Sequence, residues 1–309
     1  MKNKKRDGKF AALMKLTRIE HSIMLVIAVI AAELETAGLL GIQILWMSEQ
    51  YKILFSLITP IFLSMASFAI NDYFDVETDR ANKRFDRPLV SGALGRQTAL
   101  NVALSTFILG VAVSYFINLS AFVLAIIFGV LAFLYSYRLK DTLLVGNVYI
   151  ALSMVIAFIY GDFVVSGNFN LVPSIVIISM IIFLSGLARE IHGMIRDFRG
   201  DARVRQMKGL VHYIGIRKSA LISLVLYGEA VAISIFVFFF YAPFLYNIFY
   251  IIPILVTDLA LMYIALGYMV HLDGSKSDTR FFDMARNISL GAMALALLAF
   301  LIAPLTAAV

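Results

Sequence analysis

The chain has 309 residues, 61% of them hydrophobic and only 15% charged, with a mean hydropathy of +0.89. Soluble domains run at about 45–50% apolar and about 25% charged, so a water-soluble fold, a disordered chain and a Gly-periodic fibre are all excluded. The absence of cysteine removes disulfide, thiolate-metal and thiol-nucleophile chemistry. The net charge of +6 belongs to a chain whose expected solvent is a bilayer, not to a nucleic-acid binder.

A spanning helix takes about 20 mostly apolar residues. Nine such segments are predicted, over 19–37, 51–71, 99–117, 121–137, 143–165, 172–189, 219–241, 248–270 and 288–307. They are apolar all round rather than along one stripe, the pattern of an all-α polytopic membrane bundle. Pro60, Pro173, Pro253 and Pro304 fall within or at the ends of these runs, which membrane bundles tolerate. No linker or composition shift divides the chain, so one transmembrane domain over 1–309 is expected.

Every Lys and Arg except Lys52 falls in the N-terminal segment or in the loops after spans two, four, six and eight. The positive-inside rule makes that side cytoplasmic. The N-terminus is therefore expected inside and the C-terminus outside, with His21, His192, His212 and His271 near the cytoplasmic face. The basic start followed by 22–32 has the charge order of a secretory leader. Its polar stretch of about 20 residues is long for one, however, and no A-x-A site follows, so the segment is expected to stay as span one.

Two acidic clusters lie at that face. Span two ends in Asn71-Asp72-Tyr73-Phe74-Asp75-Val76-Glu77-Thr78-Asp79, and on a continuing helix Asn71, Asp75 and Asp79 share one side. So many carboxylates repel one another unless cations hold them, and hard oxygen ligands at this spacing suit Mg²⁺. Span six ends with Glu190, Asp197 and Asp201 at i, i+7 and i+11, again on one helical face. A bundle that brings the two sets face to face would clamp Mg²⁺ around a diphosphate. Arg87, Arg138, Lys140 and Arg196 are the nearby phosphate-binding candidates, although the positive-inside rule alone accounts for any one of them.

Other chemistry is missing. There is no G-x-x-x-x-G-K-[ST], no G-x-S-x-G and no H-E-x-x-H. Glu229 and Asp258 lie within spans seven and eight, where bonding to a neighbouring helix is the expected role.

With these segments on the page, the chain resembles the UbiA superfamily of intramembrane prenyltransferases. The resemblance runs through N-D-Y-F-D-V-E-T-D, R-P-L-V-S-G, Y-S-Y-R-L-K with Gly146-Asn147, and R-D-F-R-G-D. One departure is Met194, where many members carry a further acid. The opening Leu16–Met24 stretch resembles the archaeal branch that makes digeranylgeranylglyceryl phosphate. The resemblance implies nine helices around an apolar cavity with the active site at the cytoplasmic face. It also implies ionisation of an allylic prenyl diphosphate and prenyl transfer to an acceptor.

The expected metal ligands for Mg²⁺ are then Asn71, Asp72, Asp75, Asp79, Glu190, Asp197 and Asp201, with Asp75, Asp79, Asp197 and Asp201 catalytic. Arg18, His21, Arg189 and His192 are the candidates for binding the acceptor. A lipid acceptor, geranylgeranylglyceryl phosphate, is favoured by the surplus of cations, and an aromatic acceptor such as hydroxybenzoate or a quinone precursor is the alternative. A cation transporter is a weaker alternative, because the acids gather at one face rather than at mid-membrane.

Overall fold

The computed structural model describes residues 8–42, 50–142, 144–204, 210–271 and 276–307, leaving out the side chains of 141, 199–204 and 276–279. Among these, all regular structure is helical. In chain order it comprises α1 (Lys9–Thr17), α2 (Ser22–Leu40), α3 (Tyr51–Ala81), α4 (Arg96–Tyr115), α5 (Leu119–Tyr137) and α6 (Val145–Ser166). Then come α7 (Pro173–Val204), α8 (Leu210–Ile214), α9 (Ile216–Phe240), α10 (Ile248–Val270) and α11 (Lys276–Thr306). Short 3-10 turns cover Ile19–His21 and Leu139–Asp141. Nine helical stretches among the described residues are long and apolar enough to cross a membrane, with α1 and α2 counting as one.

Local chemistry sets several of the ends. Asn118 and Asn247 cap α5 and α10 by accepting from the backbone N–H of Ala121 and Phe249. Pro173 opens α7, where a missing N–H costs nothing. The helices overrun the predicted spans at their polar ends. The second span continues to Ala81 and the sixth to Val204, while the ninth starts at Lys276. Hydropathy marks only the bilayer-length part of a helix, and backbone hydrogen bonding carries the helix on into water.

The described residues fall into two compact units. The first lies within Met1–Val26, Leu45–Lys140 and Gly167–Phe169, and the second within Ile27–Ile44, Asp141–Ser166 and Asn170–Val309. In the first, α3 packs on α1, α4 and α5. Its core joins Ala12, Leu16, Ala69, Ile70, Val76, Ala99 and Ala103, and the buried alanines let helix backbones approach closely.

In the second unit α7 packs on α6 and α9, and α10 on α9 and α11. A Cβ at Gly161 of α6 would stand 2.6 Å from the Val29 carbonyl oxygen and 2.8 Å from the Ala32 Cβ of α2. Glycine is what lets these two helices touch. Beside it, Thr36 Oγ1 donates to Asp162 Oδ1 at 2.7 Å, and Ser234 Oγ donates to Asp258 Oδ2 at 2.7 Å. Asp258 thus has the interhelix bond expected of it, whereas Glu229 is exposed on α9. Buried Glu33, Glu35 and Asp162 are further acids within spans that the sequence reading passed over.

Candidate functional site

At the polar end of α3 the helix stays unbroken through Ala81, so Asn71, Asp75 and Asp79 rise one above the other on a single side. Asp75 Oδ1 accepts from Lys140 Nζ at 2.6 Å, a pair only 16% and 12% exposed. Lys140 comes from the 3-10 turn that follows α5. Its neighbour Arg138, the C-cap of α5, is exposed.

Asp72 behaves differently. Its side chain is 2% exposed, and its Oδ1 accepts from both Arg18 Nη2 at 2.5 Å and Arg87 Nη1 at 3.0 Å. Arg18 sits at the break between α1 and the 3-10 turn, with a left-handed backbone (φ 44, ψ 46) unusual for a side-chain-bearing residue. Its guanidinium lies 4.7 Å over the Phe68 ring, one helical turn before Asp72. His21 meets the same ring edge-on at 5.4 Å and is itself exposed. Arg87 is delivered by a turn in which Arg84 N–H bonds the Asp79 carbonyl and Arg87 N–H bonds the Arg84 carbonyl. Its Nε stands 3.9 Å from Asp79 Oδ2.

In the second unit, α7 presents the other acids. Glu190 Oε2 accepts a long bond from Asn147 Nδ2 of α6 at 3.5 Å, and Arg189 Nη1 lies 3.9 Å from Oε1. Arg196 grips Asp197 with a fork, Nε to Oδ1 at 2.7 Å and Nη2 to Oδ2 at 2.8 Å. Asp201 belongs to the α7 backbone, but its side chain lies outside the described residues. Met194 packs on the apolar cluster of Ile191, Ile195, Val211 and Phe281, a place where an acid would be costly.

His192 is 4% exposed, with Nε2 2.8 Å from Ser223 Oγ and its ring stacked on Tyr268 at 3.7 Å and 7°. Ser223 and Tyr268 lie in apolar spans, and nothing in their spacing singles them out in the sequence.

Among the described residues no three Asp, Glu, His or Cys side chains converge as a ready metal cage. The acids turn instead to the adjacent cations or, at Glu190, to an amide. The donor chemistry nonetheless fits Mg²⁺. Asn71, Asp75, Asp79, Glu190 and Asp197 are hard oxygen donors with no sulfur or imidazole between them, and none is fully buried.

Residues 37–291 match the UbiA prenyltransferase family. The chain is 36% identical over 291 residues to a digeranylgeranylglyceryl phosphate synthase of Archaeoglobus fulgidus, covering 94% of each. It is also similar to a solved structure described as giving "structural and mechanistic insights into the biosynthesis of Digeranylgeranylglyceryl phosphate synthase in membranes". There the TM-score is 0.74 at 26% identity, over 96% of this chain and 98% of that one. A UbiA homolog from Archaeoglobus fulgidus bound to GPP and Mg²⁺ shares the fold, with a TM-score of 0.61 at 20% identity over 92% and 99% of the two chains. With nine apolar helices among the described residues and a match that reaches from the first span into the last, this integral membrane protein belongs to the UbiA prenyltransferase family.

Proposed function

We propose that the protein transfers a geranylgeranyl group from its allylic diphosphate to the free hydroxyl of geranylgeranylglyceryl phosphate, a step of archaeal ether-lipid synthesis. The observation that carries this reading is the 36% identity to a digeranylgeranylglyceryl phosphate synthase across 94% of both chains. In the reaction the allylic C–O bond breaks and the hydroxyl oxygen forms the new C–O bond. The hydroxyl proton passes to the departing diphosphate or to water, and diphosphate leaves.

Asn71, Asp75 and Asp79 on α3 and Glu190, Asp197 and Asp201 on α7 would hold Mg²⁺. The likeness to a homolog bound to GPP and Mg²⁺ supports this. When bound, the metal neutralises charge gathering on the leaving diphosphate. Lys140, Arg87, Arg138 and Arg196 bind the outer diphosphate oxygens, a role supported for Lys140 by its place beside Asp75. Arg18, His21, Arg189 and His192 serve the acceptor. Apolar helix faces keep water from the allylic cation. The acidic ends face the cytoplasm together with the N-terminus, and the C-terminus lies outside; the distribution of Lys and Arg supports this orientation.

Purified protein given geranylgeranyl diphosphate and geranylgeranylglyceryl phosphate should release diphosphate and form the doubly prenylated lipid with Mg²⁺, and stop in EDTA. Asp75→Asn and Asp197→Asn should each lose more than about 100-fold in turnover while remaining folded in the membrane. Prenylation of hydroxybenzoate in preference to the lipid would overturn the acceptor. Full turnover in EDTA would overturn the metal.

A further inference from the structure

Asp72 lies among the acids expected to bind metal, yet its surroundings are not those of a ligand. Around α3 it stands about 100° from Asn71 and about 60° from Asp75 but only about 20° from Asp79, so its partners rather than its direction set it apart. Its Oδ1 is taken by two guanidiniums, and its Oδ2 is sealed from solvent with no partner among the described residues. A hydrated ion reaches Oδ1 only by displacing an arginine, and Oδ2 is closed to solvent. Arg18 and Arg87, 69 positions apart in sequence, meet on this one carboxylate oxygen. Asp79, 3.9 Å from Arg87, balances the second cation, so the pairing on Asp72 fixes direction rather than leaving a surplus of charge. The Arg87 Nε–H is likewise buried with no hydrogen-bond acceptor, 3.9 Å from Asp79 Oδ2. Both arginine side chains are about one-fifth exposed, so neither is sealed away while Asp72 pins one nitrogen of each.

We propose that Asp72 is a positioning residue that holds Arg18 and Arg87 together as one paired-guanidinium cradle for substrate phosphate oxygens, and that it does not bind the metal. Like charges this close separate unless an anion sits between them, and the planar fork of arginine suits phosphate only when its direction is fixed. The cradle joins an arginine assigned above to the diphosphate with one assigned to the acceptor, so one of the two changes ligand: the phosphate held is that of the donor diphosphate or the acceptor's phosphomonoester. The assignment rests on the prenyl-transfer reading above.

The test compares wild type, Asp72→Asn, Arg18→Ala/Arg87→Ala and the triple variant. Donor and acceptor are varied separately, and Mn²⁺ and inorganic pyrophosphate binding are measured without turnover. Asp72→Asn should raise the KM of one phosphate-bearing substrate about tenfold or more, with kcat nearly kept and Mn²⁺ affinity unchanged. A raised donor KM, with weaker pyrophosphate binding, assigns the cradle to the diphosphate; a raised acceptor KM assigns it to the phosphomonoester. Adding Asp72→Asn to the double arginine variant should change nothing further.

Weakened Mn²⁺ binding, an unchanged KM for both substrates, or a full Asp72→Asn effect without the arginines would each overturn the proposal. If Asp72→Asn does not fold, Arg18→Lys and Arg87→Lys keep Asp72 and both charges but lose the fork. They should raise the same KM, and unaltered values overturn the cradle. A wild-type protein that transfers no prenyl group overturns the functional reading instead. Binding of pyrophosphate and of geranylgeranylglyceryl phosphate to wild type and variants then decides the cradle, and equal affinities for both ligands overturn it.

Discussion

Lys140 distinguishes a chemical cation from a merely topological one. A residue that only anchors orientation tolerates Arg, and even Ala, because the same side carries many other cations. Lys140 instead makes a 2.6 Å bond to Asp75 in a mostly buried setting. A hydrogen bond to a charged group is worth about 1.5–3 kcal/mol, so Lys140→Ala should lower kcat/KM by roughly 10- to 150-fold. Lys140→Arg should recover part of that, since it keeps the charge but brings a fork to a point-charge site. Kinetics within twofold of wild type in Lys140→Ala would return it to the topological class. At this scale the sequence reading found the acids but not their partners. Spacing along one helix places Asn71, Asp75 and Asp79 on one side, whereas the Arg18–Asp72 and His192–Ser223 contacts span 54 and 31 residues. Tertiary packing creates those contacts, so no local pattern announces them. That Asp72 is taken up by two arginines was hidden for the same reason.

The helices were legible as spans and less so as helices. Their apolar runs are long enough to be unmistakable, but the ends extend past the bilayer-length window, as α3 and α7 do by carrying their acids on continuing helix. That continuation is what aligns the acids, and it agrees with the i, i+4 expectation. What periodicity did not reveal is how closely the elements approach. At Gly161 an added Cβ meets a backbone carbonyl, which cannot rotate away as a side chain can. Gly161→Ala should therefore force α2 and α6 apart, costing about 1–3 kcal/mol as overpacking does, and lower the melting temperature in detergent. Gly228 on α9 is the control, because a Cβ there meets nothing within 4 Å. Gly228→Ala should be neutral or stabilising by about 0.5–1 kcal/mol through helix propensity. Equal melting temperatures for Gly161→Ala and wild type would mean that the α2–α6 contact is looser than described.

For the whole molecule, the decisive quantity is where its charge lies. Composition alone fixes the solvent as lipid, and nine apolar stretches among the described residues match the nine spans predicted from sequence. The number of spans does not say which side is which, so the proposed orientation must come from the loops. Moving Arg or Lys through the bilayer centre costs about 2.5–3.5 kcal/mol per residue on insertion scales, and the loop after α3 carries several cations while the α6–α7 connection carries none. The native chain has no cysteine, so a single introduced one reports its own side. Ser91 lies in the basic loop and Asn168 in the neutral one, and both are exposed. With an impermeant maleimide, Asn168→Cys should react in intact cells, and Ser91→Cys only after permeabilisation. Because Ser91 follows the acidic end of α3 closely in sequence, its side is also the side from which, on the proposed reading, Mg²⁺ and the diphosphate headgroup would arrive. The reverse labelling pattern would place that chemistry on the outer face and invert the proposed orientation.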